Sequence, residues 1–148
     1  MPTSDHYEIS TDRNRLDVAL IHAFLRLSSY WAQGIPRAIV ERSIQHSLCF
    51  GAFFDGRQVG FARVITDFAA IAHIADVFVV PEHRGRGVAK LIMAAIVEHP
   101  DLQGLRRLLL VTRDAHGLYA QFGFKLLTHP ENFMTVHKPN VYCDADVA

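Results

Sequence analysis

The segment Val79-Val80-Pro81-Glu82-His83-Arg84-Gly85-Arg86-Gly87-Val88-Ala89 constrains the fold more than any other stretch. An apolar, β-favouring run stops at a proline, a loop with two glycines and two arginines follows, and an amphipathic helical pattern starts at once. Strand, tight loop and helix in that order place the unpaired first N–H groups of a helix beside a strand end. Glycines let an anion approach the backbone, the helix dipole favours negative charge, and Arg84 and Arg86 add to both. The expected guest is a phosphate or pyrophosphate. A Walker loop needs Ser or Thr after its Lys, but Leu91 follows Lys90; a dinucleotide fingerprint needs a third Gly where Lys90 stands. The bland alternative is a surface turn with two solvated arginines.

A second segment lies about 30 residues further on, the distance a βα crossover and its strand require. Ala115, Leu118, Tyr119 and Phe122 fall at i, i+3, i+4 and i+7, one face of a short helix. Gly123 is placed to end that helix in a left-handed cap, and Phe124 to begin a strand.

Both segments resemble signatures of the GCN5-related N-acetyltransferase (GNAT) superfamily. Its acyl-CoA loop runs Arg or Gln, two residues, Gly, one residue, then Gly or Ala; here it reads Arg84-x-x-Gly87-x-Ala89 after a Val-x-Pro-Glu lead-in. Its second motif, Ala-x-x-Leu-Tyr-x-x-x-Gly-Phe, matches Ala115 to Phe124. The resemblance implies the acyl-CoA N-acyltransferase fold, a mixed α/β architecture whose central, mostly antiparallel sheet is flanked by about four helices.

The remaining pattern agrees. Tyr7-Glu8-Ile9 reads as a first strand, Arg13 to Leu27 as a helix, Ser28 to Gly34 as an aromatic-bearing loop, and Pro36 to His46 as a second helix. Leu48–Phe54 and Val59–Thr66 form strands about the Asp55-Gly56 hairpin signal, and Asp67 starts the next turn. Ala70–Val80 is apolar on both faces, as a covered central strand should be. Helix from Val88 to His99 and strand from Leu108 to Val111 follow, the two strands being parallel because a helix crosses between them. Phe133 to His137 is a candidate last strand. Asn140 to Ala148 matches nothing and is expected to fray.

The chain has 148 residues, one domain's length, and its 50% apolar content supports a real core. Its 15 basic and 15 acidic residues cancel, so nothing marks it as a nucleic-acid binder. No apolar run is long enough to span a bilayer, the polar N-terminus is not a signal peptide, and two cysteines make no disulfide framework. A cytoplasmic location is the resulting expectation. Nine histidines include no metal-binding spacing, so no metal is expected.

The resemblance implies direct acetyl transfer from acetyl-CoA to a primary amine of a small molecule or peptide. The loop Arg84, Gly85, Arg86, Gly87, Val88, Ala89 and Lys90 would hold the pyrophosphate, and the strand end Phe78, Val79 and Val80 the pantetheine arm. Val79 is the candidate N–H for the oxyanion. Thr112 stands where many members have Asn, seven residues before the tyrosine, so the contact there is altered. Tyr119 is the candidate acid toward the leaving thiolate. Asp76 is the candidate base, or else binds a neighbouring loop or orients the amine; His116 is the runner-up, and water a further option. His73 would face the opposite side of a regular strand from Asp76 and reads as structural. Tyr30, Trp31, Phe61 and Arg63 are the candidate acceptor contacts. A polycationic acceptor is disfavoured by the absence of an acidic cluster; a protein N-terminus, an amino acid and a small arylalkylamine all stay open. A non-catalytic acyl-CoA sensor is the alternative, and a homodimer is allowed by analogy.

Overall fold

Asp55 and Gly56 both take left-handed backbone, with φ of 50° and 79°. That is the geometry a two-residue hairpin turn needs, and it joins β2 (Leu48–Phe54) to β3 (Arg57–Thr66). The computed structural model describes residues 6–145. Strands β1 (Tyr7–Ser10), β2, β3, β4 (Ile71–Val79) and β5 (Arg107–Leu110) form one sheet in sequence order. Every pairing is antiparallel except β4 with β5, which the intervening helix makes parallel.

Two helical layers cover the sheet. On one face α3 (Val88–Glu98) packs Val88, Ile92, Met93 and Ile96 against Phe50, Ala52, Ala62, Val64, Ala72 and Ile74. Gly60 permits that approach: a Cβ there would lie 3.1 Å from Ile92 Cδ1. On the other face α1 (Val18–Ala23), the turn that follows it and α2 (Arg37–Gln45) bring Ile21, Leu25, Val40 and Ile44 onto Cys49, Phe61 and Phe78. Each such buried aliphatic or aromatic side chain contributes roughly 2 kcal/mol by leaving water. Two short helices, α4 (His116–Ala120) and α5 (Val141–Ala145), complete the described chain. Among the described residues no helix is long and apolar enough to cross a membrane.

Four expectations change. The first helix is divided: Asp12 accepts from Asn14 N–H and starts a 3₁₀ turn over Arg13–Arg15, and Asp17 accepts from Leu20 N–H and starts α1 afresh. Short acidic side chains capture the helical donors locally and break the continuous helix. Its end widens into a π turn over Phe24–Ser28. Phe124 begins no strand and Phe133 to His137 forms none; the segment after α4 is irregular and largely exposed, with a 3₁₀ turn over Pro130–Asn132, and joins no ladder among the described residues. The C-terminal stretch read as loose carries α5, while residues 146–148 lie outside those described, as do residues 1–5.

The turn into β4 is set by Asp67, whose Oδ1 accepts from the N–H groups of Ala69, Ala70 and Ile71 at 3.0, 2.8 and 3.1 Å. These bonds favour the charged form and lower its pKa to about 2. The folded value lies below the unfolded one, so the turn's contribution is complete above the ordinary carboxylate range. It is lost as pH falls through about 2. An NMR titration of the Asp67 carboxyl should give a midpoint near 2, while an exposed aspartate without backbone donors titrates near about 4.

Candidate active site

The loop after β4 is built to present bare amides. Gly85 and Gly87 take φ of 76° and 79°, values that Cβ-bearing residues resist, with open space where a Cβ would stand. Gly87 is the N-cap of α3, and no side chain caps that end. The first N–H groups of α3 therefore point outward beside the exposed Arg84, Arg86 and Lys90, with no acidic residue in the first turn. Arg84 also donates from Nε to the carbonyl oxygen of Val79 at 3.0 Å, fastening the loop to the strand end.

The strand itself is interrupted. Phe61 pairs with Phe78 and Arg63 with Ala75, so β3 advances two residues where β4 advances three. The extra residue is a bulge, and Asp76 sits in it at φ 56°. Beyond it β4 and β5 part: their pairing runs from Ile71–Arg107 to Ile74–Leu110 and stops. The edge of β4 from Ala75 onward is thus open. Val80 N–H donates to Val59 O at 2.8 Å, and alternation turns Phe78 the same way, toward β3. Of the strand-end residues, only Val79 turns its N–H to the open edge. Phe78 and Val80 keep their backbone groups for the sheet, which narrows the expectation for this stretch.

A cleft of about 290 Å³ fills the wedge between the parted strands. Tyr30, Trp31, His73, Asp76, Thr112, Asp114 and Tyr119 are among the residues lining it. Trp31 Nε1 donates to Asp76 Oδ1 at 2.8 Å, and Arg63 Nε donates to Asp76 Oδ2 at 2.8 Å. Arg63 Nη1 reaches on to Ser47 Oγ at 3.2 Å. Both carboxylate oxygens of Asp76 are therefore engaged, one of them by a loop residue. From the other side Tyr30 Oη accepts from Arg113 N–H at 3.1 Å, and the Arg113 guanidinium lies 3.9 Å above the Tyr30 ring. The α1–α2 loop thus bridges the wedge, one aromatic tied to β4 and the next to the segment after β5.

Tyr119 projects from α4 into this cleft and is nearly buried. Burial, then the nearby Tyr30 and Asp114, raises its pKa. A phenol held neutral in this way can donate a proton to a departing anion. Thr112 Oγ1 accepts from Ala115 N–H at 3.1 Å, turning the chain into α4 and leaving its hydroxyl hydrogen available. Phe61 is fully buried in the core, its ring tilted against Phe78 at 5.9 Å, so its side chain is not open to an acceptor. The bulge also reverses one expectation. Ala72 and Ile74 enter the α3-side core and Phe78 the opposite one, a change of parity that puts His73 and Asp76 on the same face. His116 is exposed and does not line the cleft. Arg113 and Asp114 were invisible as site residues because their role comes from the loop opposite. Among the described residues no group of three or more His, Cys, Asp or Glu could hold a metal ion.

A sheet parted at a bulge, a glycine loop on a bare helix end and a tyrosine in the wedge define an acyl-CoA N-acyltransferase fold. The chain belongs to the acetyltransferase (GNAT) family, which residues 18–124 match. It is similar to a crystal structure from Xanthomonas campestris pv. campestris assigned to the GNAT family, with 55% identity, 96% of this chain and 98% of that one covered, and a TM-score of 0.91. A Gibberella zeae protein carrying the acetyltransferase name FG08082 is 30% identical, over 80% of this chain and 78% of its own. Glucosamine-6-phosphate N-acetyltransferase from Arabidopsis thaliana shares the fold at 14% identity, with a TM-score of 0.61 over 89% of this chain and 97% of that one.

Asp76 should be the energetic centre of this arrangement. Asp76→Ala strands the half-buried charge of Arg63 and leaves Ala in left-handed backbone, so urea unfolding should report a loss of about 3 kcal/mol. Asp76→Asn, which keeps an acceptor for Trp31 and tolerates that backbone, should lose less.

Proposed function

We propose that this protein moves an acetyl group from acetyl-CoA directly to a primary amine of a small molecule or peptide. The observation that carries the reading is the continuity of three features: bare amides at the start of α3, the open edge of β4 at Val79, and Tyr119 in the wedge where β4 leaves β5. A pyrophosphate suits the first, an extended amide-bearing arm the second, and a thioester carbonyl with its leaving sulfur the third.

In this reading the backbone of Arg84 to Ala89 holds the pyrophosphate, with Arg84, Arg86 and Lys90 adding positive charge. The Val79 N–H is aimed at the pantetheine arm or the thioester oxygen, and one such donor is typically worth about 3 kcal/mol to the transition state. Tyr119 gives its proton to the thiolate. Asp76 holds Trp31 and Arg63 in place, and its ion pair with Arg63 makes it a weaker proton acceptor than a free carboxylate. Tyr30 and Trp31 face the acceptor, and their half-exposed rings favour an amine carrying an apolar or flat group. The reading includes a homodimer. What supports it is the exposed segment after α4, whose Leu126, Met134 and Val136 are 78%, 98% and 90% exposed, together with a β5 edge that pairs with no strand among the described residues.

Thiol release from acetyl-CoA, measured against a panel of amines, tests the transfer. Tyr119→Phe should lower kcat by about 10²-fold or more and leave KM for acetyl-CoA unchanged. Because the phenol's pKa is raised, the alkaline limb of the wild-type kcat profile should lie above the ordinary tyrosine value of about 10 and vanish in the variant. Light scattering on the eluting protein should give a mass twice that of the chain, and charged residues placed at Met134 and Val136 should halve it.

A further inference from the structure

An amine acceptor enters water-equilibrated sites chiefly as ammonium, so transfer needs a base that is unprotonated and open to the cleft when the acceptor arrives. Asp76 has one oxygen held by Arg63 and the other by Trp31. His116 is exposed on α4 and stands outside the cleft. His73 is differently placed. The bulge sets it on the same face as Asp76, and it lines the cleft together with Tyr119. Its ring is half-buried, and among the described residues neither nitrogen has a hydrogen-bond partner. No fully enclosed side-chain nitrogen or oxygen among them lacks a partner, so the His73 nitrogens keep access to solvent on a residue that lines the cleft.

We propose that His73 is the base that takes the proton of the acceptor amine; this rests on the acetyl-transfer reading above. The groups facing it are Arg63 from β3, Asp76 from β4, Tyr30 and Trp31 from the α1–α2 loop, and Asp114 and Tyr119 from beyond β5. Burial first, then the Arg63 charge, lowers its pKa against the opposing pull of Asp76, so the ring is neutral and ready to accept at pH 7. Its folded value lies below the unfolded one, so protonation on the acid side removes the base.

The protons balance as follows. The ammonium gives one proton to His73, and the free amine attacks the thioester carbonyl, forming the C–N bond. As the C–S bond breaks, the sulfur takes the Tyr119 proton. The nitrogen sheds its second proton, which returns to Tyr119 through cleft water, and the imidazolium releases its own to solvent. Ammonium and acetyl-CoA become amide, free thiol and one solvent proton.

The test is the pH profile of thiol release for wild type, His73→Ala and His73→Gln, with urea midpoints confirming that each variant is folded. Support would be a fall in kcat of about 10²-fold in both at unchanged KM for acetyl-CoA, with loss of the acid limb. Added imidazole should restore part of the rate in His73→Ala, and raising the pH above the amine's own pKa should narrow the gap in both. Variants that keep the wild-type kcat and acid limb would overturn His73 and leave acetyl transfer standing. A wild type that releases no thiol with any amine would overturn the transfer reading, and this base with it. Should His73→Ala fail to fold, His73→Gln carries the comparison.

Discussion

One extra residue in β4 underlies the whole site. Asp76 adopts left-handed backbone, a conformation that costs roughly 1–3 kcal/mol in a non-glycine residue unless its surroundings enforce it. Three consequences follow from that single insertion. The inward and outward faces of β4 exchange, so Phe78 joins the α1–α2 core although Ile74 belongs to the other. The ladder to β5 ends at Ile74, and the sheet opens into a wedge. The freed edge carries a backbone N–H at Val79 that a regular strand would have bonded to its neighbour.

The insertion is held by polar bonds, not by packing. Arg63 reaches Asp76 from β3, and Trp31 reaches it from the loop between α1 and α2. The side chains of this ion pair are 18% and 11% exposed, so neither charge is free in water, and each depends on the other for compensation. Trp31 makes the same carboxylate the anchor of the cleft's roof, while Tyr30 anchors the roof's other end to Arg113. Wedge, roof and bulge therefore stand or fall together. A change in any of these five side chains should be felt across a gap that no strand pairing closes.

What the sequence disclosed divides along the range of the interactions involved. The hairpin at Asp55-Gly56, the glycines of the Arg84–Gly87 loop and the Tyr119 helix are local, set by backbone preferences and short periodicities, and they were legible. So was the parallel pairing of β4 with β5, because a helix joins them. The bulge was not: an aspartate in an apolar strand is the only mark it leaves, and a base candidate and a bulge residue look alike there. The placement of His73 failed for the same reason, since it assumed unbroken alternation. Phe61 seemed available to a ligand because β3 offers no sign of which helices cover it. The division of the first helix turned on whether Asp17 captured Leu20 N–H, a choice that apolar spacing cannot see. The strand expected over Phe133 to His137 has the right residues but no partner among the described residues.

The start of α3 has one more consequence. Helices usually close their first turn with a Ser, Thr, Asp or Asn side chain; Gly87 supplies none. The chain has left its own helix unfinished, so an anion seated there serves as the missing cap. Occupancy and conformational integrity then become a single linked equilibrium, in which the free energy of folding grows with the logarithm of ligand concentration. Under the proposed transfer reading, the protein without its donor is therefore less resistant to unfolding as well as idle.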